Sequence, residues 1–129
     1  MPTTAAELVS FAKSQVENLT PDQVAIEIGR DALLIDVREP AELDAEGMIR
    51  GAVHAPRGML EFWADLASPD HRPEFDPQRR TVVYCATGGR SALAAQLLRQ
   101  LGYADVAHLD GGITAWKQVG HPVVNPREA

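Results

Sequence analysis

The chain of 129 residues predicts an α/β fold in which helices pack on both sides of a mainly parallel sheet. Two observations carry that prediction. Segments of β-favouring apolar residues alternate along the chain with segments whose apolar residues recur at helical spacing. Residues 32–37 are apolar except for Asp36, which is typical of a strand covered on both faces and hence of a parallel sheet.

Two helices are predicted in the first part of the chain. Apolar residues at helical spacing predict a helix over residues 4–16. Thr20 has the character of an N-cap, with Pro21 at the first helical position and Gln23 at the third. We therefore expect a second helix to begin there and to end at Gly29.

The remaining elements alternate in the same way. In chain order they are a strand at 32–37, a helix at 39–47, a strand at 52–56, a helix at 60–66, a strand at 81–84, a helix ended by Gly102, a strand at 106–109, a turn at Gly111-Gly112 and a helix at 113–119. Residues 68–80 have no apolar period and form a loop that is long for so small a domain. Such loops line sites or are mobile, and we expect partner contacts there.

The composition limits the classes of function. A hydrophobic share of 45% and a charged share of 23% are those of an ordinary globular protein, and the length is that of one domain. The net charge of −6 argues against a nucleic-acid surface. No apolar run approaches the roughly 18 residues that cross a membrane, and the N-terminal residues lack the form of a signal peptide. We therefore expect a cytoplasmic protein with no nucleic-acid or membrane partner.

Cys85 is the single cysteine of the chain, and it lies where a strand passes into a helix. Gly88 and Gly89 let backbone amides turn toward the sulfur in a nest that attracts anions. Such a nest at a helix start favours the reactive thiolate over the thiol. The alternative is structural, because a free cysteine is often a small buried hydrophobe and paired glycines are often a turn. No second thiol can resolve an oxidised or sulfur-loaded Cys85, so its acceptor must come from outside the chain.

Four segments occur in an order and at a spacing that resemble the rhodanese family, in particular its small single-domain members. They are LIDVRE at 34–39, GMIRGA at 47–52, VYCATGGRS at 83–91 and LDGGITAW at 109–116. The resemblance implies a three-layer sandwich with a five-stranded, mainly parallel sheet. It divides the chain into an N-terminal helical extension (1–16), a rhodanese domain (17–124) and a C-terminal tail (125–129).

The same resemblance implies a sulfurtransferase that needs no metal or organic cofactor. Cys85 would carry sulfane sulfur as a persulfide from a donor such as thiosulfate to a thiophilic acceptor, either cyanide or a thiol. The residues whose amides would surround that sulfur are Ala86, Thr87, Gly88, Gly89, Arg90 and Ser91. The expected partners are a small sulfur donor and acceptor, and a protein acceptor is compatible with the same loop. The loop lacks the second basic residue that characterises the thiosulfate-selective form of the family.

Other polar residues near these segments each have two interpretations. Arg90 either holds the anionic end of a donor or neutralises a neighbouring carboxylate. Asp36 and Arg38 form either a structural charge pair or part of the catalytic machinery. Arg57 either reaches the mouth of the site or is an exposed surface residue. Ser91 is either a helix cap or a ligand to the sulfur.

Two other functions remain open at this stage. A phosphatase or arsenate reductase of related fold would also use a cysteine, a nest and an arginine. Cys85 and Arg90 enclose four residues, one fewer than in those phosphatases, and the chain has no second cysteine. The other alternative is a rhodanese-like binding or sulfur-relay module whose partner is a protein. None of the four histidines is adjacent to Cys85 and they show no metal-ligand spacing, so we expect neither the Cys–His arrangement of a protease nor a metal site.

Overall fold

A computed structural model describes residues 2–129 of the chain. Met1, which belongs to the predicted N-terminal extension, lies outside the described residues. The described part contains six α-helices: α1 (Ala5–Gln15), α2 (Pro21–Gly29), α3 (Pro40–Glu46), α4 (Leu60–Ala64), α5 (Gly89–Gln100) and α6 (Gly112–Gln118). It contains five strands: β1 (Glu17–Leu19), β2 (Leu33–Asp36), β3 (Val53–His54), β4 (Thr81–Tyr84) and β5 (Val106–Leu109). Short 3-10 turns cover Arg57–Met59 and Pro126–Glu128. No helix within residues 2–129 is both long and apolar enough to cross a membrane.

The five strands form one parallel sheet in the order β1-β5-β4-β2-β3. Helices cover both faces of this sheet. Successive residues of a strand point to opposite faces, so they belong to different core clusters. In the central strand, Val83 packs in a cluster with residues of α4 and α5, whereas Val82 packs with residues of α2 and α6. The predicted α/β sandwich and the five-stranded sheet implied by the family resemblance are therefore confirmed.

One strand is missing from the prediction that the residue patterns give. β1 has three residues, of which Glu17 and Asn18 are exposed, and it pairs with β5 at the edge of the sheet. So short and polar a segment has no periodicity that a sequence pattern can detect. Its strand conformation comes from the pairing with β5.

Two predicted elements, β3 and α4, are shorter than expected. β3 has two residues and stops before Pro56, which lacks the N–H group of an ordinary strand residue. α4 ends at Ala64, because the side chain of Asp65 accepts a hydrogen bond from the Ala67 N–H at 2.9 Å and turns the chain. The other predicted elements lie where the sequence places them, apart from small differences at their ends.

The long loop at 68–80 joins β4 at its amino end, whereas Cys85 follows the carboxyl end of the same strand. The loop is anchored by Phe75, which is buried in the core, and by the Arg72 guanidinium, which lies 3.4 Å from the centroid of the Trp63 ring. The loop therefore meets β4 at the end opposite to Cys85, and its contact with a partner stays a prediction.

Helix α1 packs against the first turn of α5, beside the loop that follows Cys85. A Cβ atom placed on Gly89 would lie 3.7 Å from Cγ2 of Val9. Lys13 of α1 forms a salt bridge with Asp110 at 3.0 Å. The N-terminal helix thus flanks the site, while the division of the chain into extension, domain and tail stays a prediction.

Candidate active site at the Cys85 loop

Cys85 lies at the carboxyl end of the central strand, where open α/β sheets place their ligands. Its side chain is 1% exposed. The chain turns at Gly88, whose φ of 110° is rarely adopted by residues with a side chain, and α5 begins at Gly89. The structure thus shows the strand, cysteine, turn and helix in the order that the sequence predicts.

Two backbone amides are directed at the sulfur of Cys85. The N–H of Gly88 donates to Sγ with an N···S distance of 3.1 Å, and that of Ser91 donates at 3.4 Å. Both lie at the start of α5, a helix of twelve residues, so the positive end of the helix dipole acts at the same point. Among the six loop residues predicted to bind substrate, these two contact the cysteine itself.

The carbonyl groups of the loop are held by the first turn of α6. Ile113 N–H donates to the Cys85 carbonyl at 2.9 Å, and Thr114 N–H donates to the Ala86 carbonyl at 3.1 Å. The approach requires glycine at position 112, because a Cβ atom on Gly112 would lie 2.3 Å from the Ala86 carbonyl oxygen. The Gly111-Gly112 turn predicted from the sequence therefore fixes the position of the loop at residues 85–91, which we call the Cys85 loop.

Arg90 forms a two-pronged salt bridge on the outer side of the loop. Its Nη1 and Nη2 atoms each lie 2.8 Å from a carboxylate oxygen of Glu42 in α3. The Arg90 guanidinium lowers the pKa of Glu42 to about 2, so the carboxylate is charged at neutral pH. Of the two interpretations of Arg90, the structure displays the pairing with a neighbouring carboxylate; contact with a donor stays a prediction.

Asp36 and Arg38 form a buried charge pair at the end of the neighbouring strand. Arg38 donates from Nε to one carboxylate oxygen at 3.1 Å and from Nη2 to the other at 2.7 Å. Arg38 Nη2 also donates to the Gly47 carbonyl at 2.8 Å, and the two side chains are 1% and 0% exposed. The charges of Asp36 and Arg38 are thus paired with each other within the fold, as the structural interpretation predicts.

Arg57 lies on the 3-10 turn before α4 and pairs with Glu61 one helical turn later. The Nη1–Oε1 distance is 2.9 Å, and both side chains are partly exposed. No polar contact joins Arg57 to the Cys85 loop in the described part of the chain. The geometry is that of an ordinary surface arginine.

A pocket of about 490 Å³ opens beside the loop. Ala86 lines it on the loop side, and Glu42, Thr114 and Lys117 line it on the side of α3 and α6. Lys117 is paired with Glu46 at 3.1 Å. Thr87 of the same loop is exposed to solvent.

The inner side of the loop contains a histidine that no local sequence signal assigns to the site. The Ser91 hydroxyl oxygen lies 3.5 Å from Sγ of Cys85 and 2.9 Å from Nδ1 of His108. Nε2 of His108 lies 2.7 Å from Oδ1 of Asn18. His108 pairs in register with Val83, which lies two residues before Cys85. Alternation along the strands therefore puts the side chains of His108 and Cys85 on the same face of the sheet. The strand register, and not proximity in the sequence, is the signal that could have found it.

Burial governs the charge of His108, which is fully inaccessible to solvent. Desolvation lowers the pKa of His108 to about 4, because a charged imidazolium is disfavoured in the core. Nearby Asp110 raises this pKa and Lys13 lowers it, so these two charges oppose each other. The imidazole is therefore neutral at physiological pH.

Comparison with known proteins finds relatives over most of the chain. A sulfurtransferase of Allochromatium vinosum is 41% identical over 96 residues, which are 74% of this chain and 81% of that protein. The probable adenylyltransferase/sulfurtransferase MoeZ of Mycobacterium tuberculosis is 38% identical over 107 residues, 81% of this chain but 25% of that longer protein. Among solved structures, a Rhodopseudomonas palustris protein of unknown function, described as a possible tyrosine phosphatase, superposes with a TM-score of 0.88 at 37% identity. It covers 96% of this chain and 99% of its own.

A family model decides the assignment. The model described as the rhodanese-like domain matches residues 20–119, which include β2, β4, the Cys85 loop and the start of α6. Those elements build the site and carry three of the four sequence segments noted above, and the fourth, at 47–52, also lies within the matched range. The chain belongs to the rhodanese-like domain family.

Proposed function

We propose that this protein transfers sulfane sulfur through a persulfide on Cys85. The observation that carries the proposal is the sulfur at the end of β4, with the N–H groups of Gly88 and Ser91 directed at it. Membership of the rhodanese-like family and the sulfurtransferase names of two relatives support sulfur transfer in general. The expected place of action is the cytoplasm.

The proposed reaction has two steps. In the first step, the Cys85 thiolate attacks the outer sulfur of a donor such as thiosulfate, the S–S bond of the donor breaks, and sulfite leaves with the electron pair. The amides that face the sulfur stabilise the negative charge of the resulting persulfide. In the second step, cyanide or a thiolate attacks the outer sulfur and Cys85 leaves as a thiolate. The two steps balance without an oxidant or a reductant.

The roles proposed for the loop follow from its geometry. Cys85 is the nucleophile, and the residues that surround the transferred sulfur are Ala86, Thr87, Gly88, Gly89, Arg90 and Ser91. Asp36 and Arg38 keep a structural role, because both are buried and their charges are paired with each other. Arg57, paired with Glu61, has no assigned part in the reaction.

Two cationic side chains near the Cys85 loop influence which sulfur donor the protein can use. Arg90 is engaged by Glu42, and Lys117 is engaged by Glu46. A doubly charged donor such as thiosulfate must therefore compete with a carboxylate for either cation. This arrangement supports a low-molecular-weight persulfide as a second candidate donor, since its reactive end carries less charge.

The experiment that tests the proposal separates loading from discharge. The protein is incubated with thiosulfate or with glutathione persulfide, freed of donor by gel filtration, and mixed with cyanide. We expect close to one thiocyanate per wild-type chain with at least one of the donors, and none with Cys85→Ser. Release of thiocyanate by Cys85→Ser, or none from wild type with either donor, would contradict the proposal.

The same experiment, with a phosphatase assay beside it, separates the alternative functions. A protein-relay module would load sulfur on Cys85 but pass it only slowly to cyanide or to small thiols. A phosphatase would hydrolyse p-nitrophenyl phosphate in a Cys85-dependent manner and would not load sulfur. The four-residue spacing between Cys85 and Arg90 makes the loop small for a tetrahedral phosphate and supports the sulfur carrier instead.

A further inference from the structure

A chain of hydrogen bonds leads from Cys85 to the edge of the sheet through side chains that the two steps above do not use. Sγ lies 3.5 Å from Ser91 Oγ, which lies 2.9 Å from His108 Nδ1. His108 Nε2 lies 2.7 Å from Asn18 Oδ1. Ser91 and His108 are fully buried, whereas Asn18 is exposed on the edge strand β1. The chain therefore connects a buried sulfur with the surface.

The partners of Asn18 determine where each proton of the chain lies. Asn18 Nδ2 donates to the carbonyls of Lys13 at 3.0 Å and Val16 at 3.1 Å, which leaves Oδ1 to face His108. Oδ1 is an acceptor, so His108 carries its proton on Nε2 and Nδ1 is an acceptor in turn. The Ser91 hydroxyl, which has the Gly88 carbonyl at 3.3 Å and Nδ1 at 2.9 Å, then donates its one proton to the nearer Nδ1 and presents a lone pair to the thiol of Cys85.

The surroundings of the ring leave it free to receive a proton when the sulfur becomes negative. The charged groups that face His108 are Asp110 and Lys13, and they are paired with each other at 3.0 Å. Their charges act on the ring in opposite directions, and the ring is neutral while Cys85 is a thiol. A thiolate on Cys85 adds a negative charge two hydrogen bonds away in a site of low dielectric, where it stabilises an imidazolium.

We propose that His108 is a positioning residue that receives the thiol proton of Cys85 through the hydroxyl of Ser91, with Asn18 holding the ring in the required tautomer. The proposal rests on the sulfur-transfer function proposed above. It adds to that function a route by which the buried thiol becomes a thiolate when a donor is bound.

The step balances in protons and electrons. The S–H bond of Cys85 breaks and its proton bonds to Ser91 Oγ, while the original hydroxyl proton of Ser91 moves to Nδ1 of His108. The sulfur keeps the electron pair and uses it to attack the donor, whose leaving group departs with the pair of the broken S–S bond. The imidazolium then lies near the anionic persulfide, and the proton returns when an acceptor regenerates Cys85.

The test uses His108→Asn, because the asparagine side chain keeps an acceptor near the position of Nδ1 but cannot take up a proton. The readout is the rate of Cys85 alkylation by iodoacetamide as a function of pH, which reports the thiolate without any sulfur donor. We expect a loss of roughly tenfold or more at about pH 6–7 and rates within about twofold of wild type at about pH 10, where hydroxide removes the proton.

Two further variants make the test selective. Ser91→Ala keeps the amide that faces Sγ but removes the bridging hydroxyl, so it should show the same pH-dependent loss. His71→Asn, which removes a histidine from the loop at 68–80, should follow the wild-type profile. Should His108→Asn lack a cooperative thermal transition, Ser91→Ala alone decides the test.

Two results would overturn the proposal. One is a rate reduced by the same factor at every pH, which indicates a structural role for His108. The other is a wild-type profile in His108→Asn or in Ser91→Ala. Failure of the sulfur-transfer function is a separate result, since it shows as no donor-derived sulfur on Cys85 whatever the alkylation profile.

Discussion

The two sides of the Cys85 loop are built from different chemistry. On the outer side, Arg90 and Glu42 are charged, and their side chains are 39% and 32% exposed. On the inner side, Ser91 and His108 are neutral, fully buried and joined by a hydrogen bond of 2.9 Å. Arg90 and Ser91 are consecutive residues, so the first turn of α5 directs a charge to solvent and a hydroxyl to the core. Water and salt screen the charges of the outer groups, whereas water does not compete for the hydrogen bonds of the inner groups.

The largest effect on stability should come from breaking the buried salt bridge between Asp36 and Arg38, which contrasts with the partly exposed pair of Arg90 and Glu42. Asp36→Asn leaves the Arg38 guanidinium in the core without a compensating charge. We expect the free energy of unfolding to fall by about 3–5 kcal/mol, measured by denaturant titration. Asp44→Asn changes an exposed carboxylate in the same part of the chain and should be nearly neutral. Equal stability of the two variants would contradict the structural role of the buried pair.

Gly112→Ala should disturb both sides of the loop at once. Its methyl group would overlap the Ala86 carbonyl, and the φ of +62° disfavours a side chain as well. We expect a loss of about 2–4 kcal/mol in stability, together with slower alkylation of Cys85. Gly120→Ala is the matched control, because Gly120 has a φ of +90° but open space around it. If the two variants are equally stable, the close approach of α6 to the loop does not constrain it.

The buried His108 on the inner side of the loop should make the stability of the protein depend on pH. The pKa of His108 is lowered from 6.5 to about 4 in the fold, so between these values the unfolded chain binds more protons than the folded one. Stability should therefore fall as the pH decreases through this window, by at most about 3 kcal/mol. Urea titrations from about pH 7 to pH 4 should show this slope in wild type and lose it in His108→Asn. An unchanged slope in the variant would exclude a buried neutral His108.

The smallest effect is expected on the outer side. Glu42→Gln removes the charge that engages Arg90 but should cost less than about 1 kcal/mol, because the pair is partly exposed. The lowered pKa of Glu42, about 2, means that this small contribution is present above about pH 4.5 and is lost as the pH falls toward 2. We also expect loading by thiosulfate to rise about twofold to fivefold, since Arg90 is released to bind an anion.

The control for that prediction is Glu46→Gln, which releases Lys117 at the rim of the same pocket. Lys117 belongs to α6 and not to the Cys85 loop, so its effect on thiosulfate loading should be smaller. Equal gains from both variants would indicate a general effect of removing negative charge, and no gain from Glu42→Gln would show that Arg90 does not meet the donor.

The sequence predicts the parts of the site that are contiguous in the chain. The strand that ends at Cys85, the turn and the start of α5 are local features, and each has a residue signal of its own. Arg90 could be given two interpretations but no partner, because Glu42 lies 48 residues away. Gly112 predicts a turn from the sequence alone. Its close approach to Ala86 depends on how α6 packs, which the sequence does not indicate.

The inner side could not be predicted in the same way. Asn18, His108 and Val83 are brought into one row by the order of the strands, in which β5 lies between β1 and β4. Asn18 and His108 are 90 residues apart, and β1 is too short to carry a strand signal. The hydrogen-bonded chain behind Cys85 is thus a property of the topology rather than of any local motif.

The role of Cys85 as sulfur carrier can be read from the intact mass of the protein after exposure to a sulfur donor under non-reducing conditions. Wild type and Cys85→Ser are treated with thiosulfate and with glutathione persulfide, and cyanide is added afterwards. If Cys85 carries sulfane sulfur, the protein gains one sulfur, about 32 mass units, and this gain requires Cys85 and disappears with cyanide. A chain that stays at its unmodified mass with both donors, or that gains sulfur equally in Cys85→Ser, would contradict the role of Cys85 as sulfur carrier.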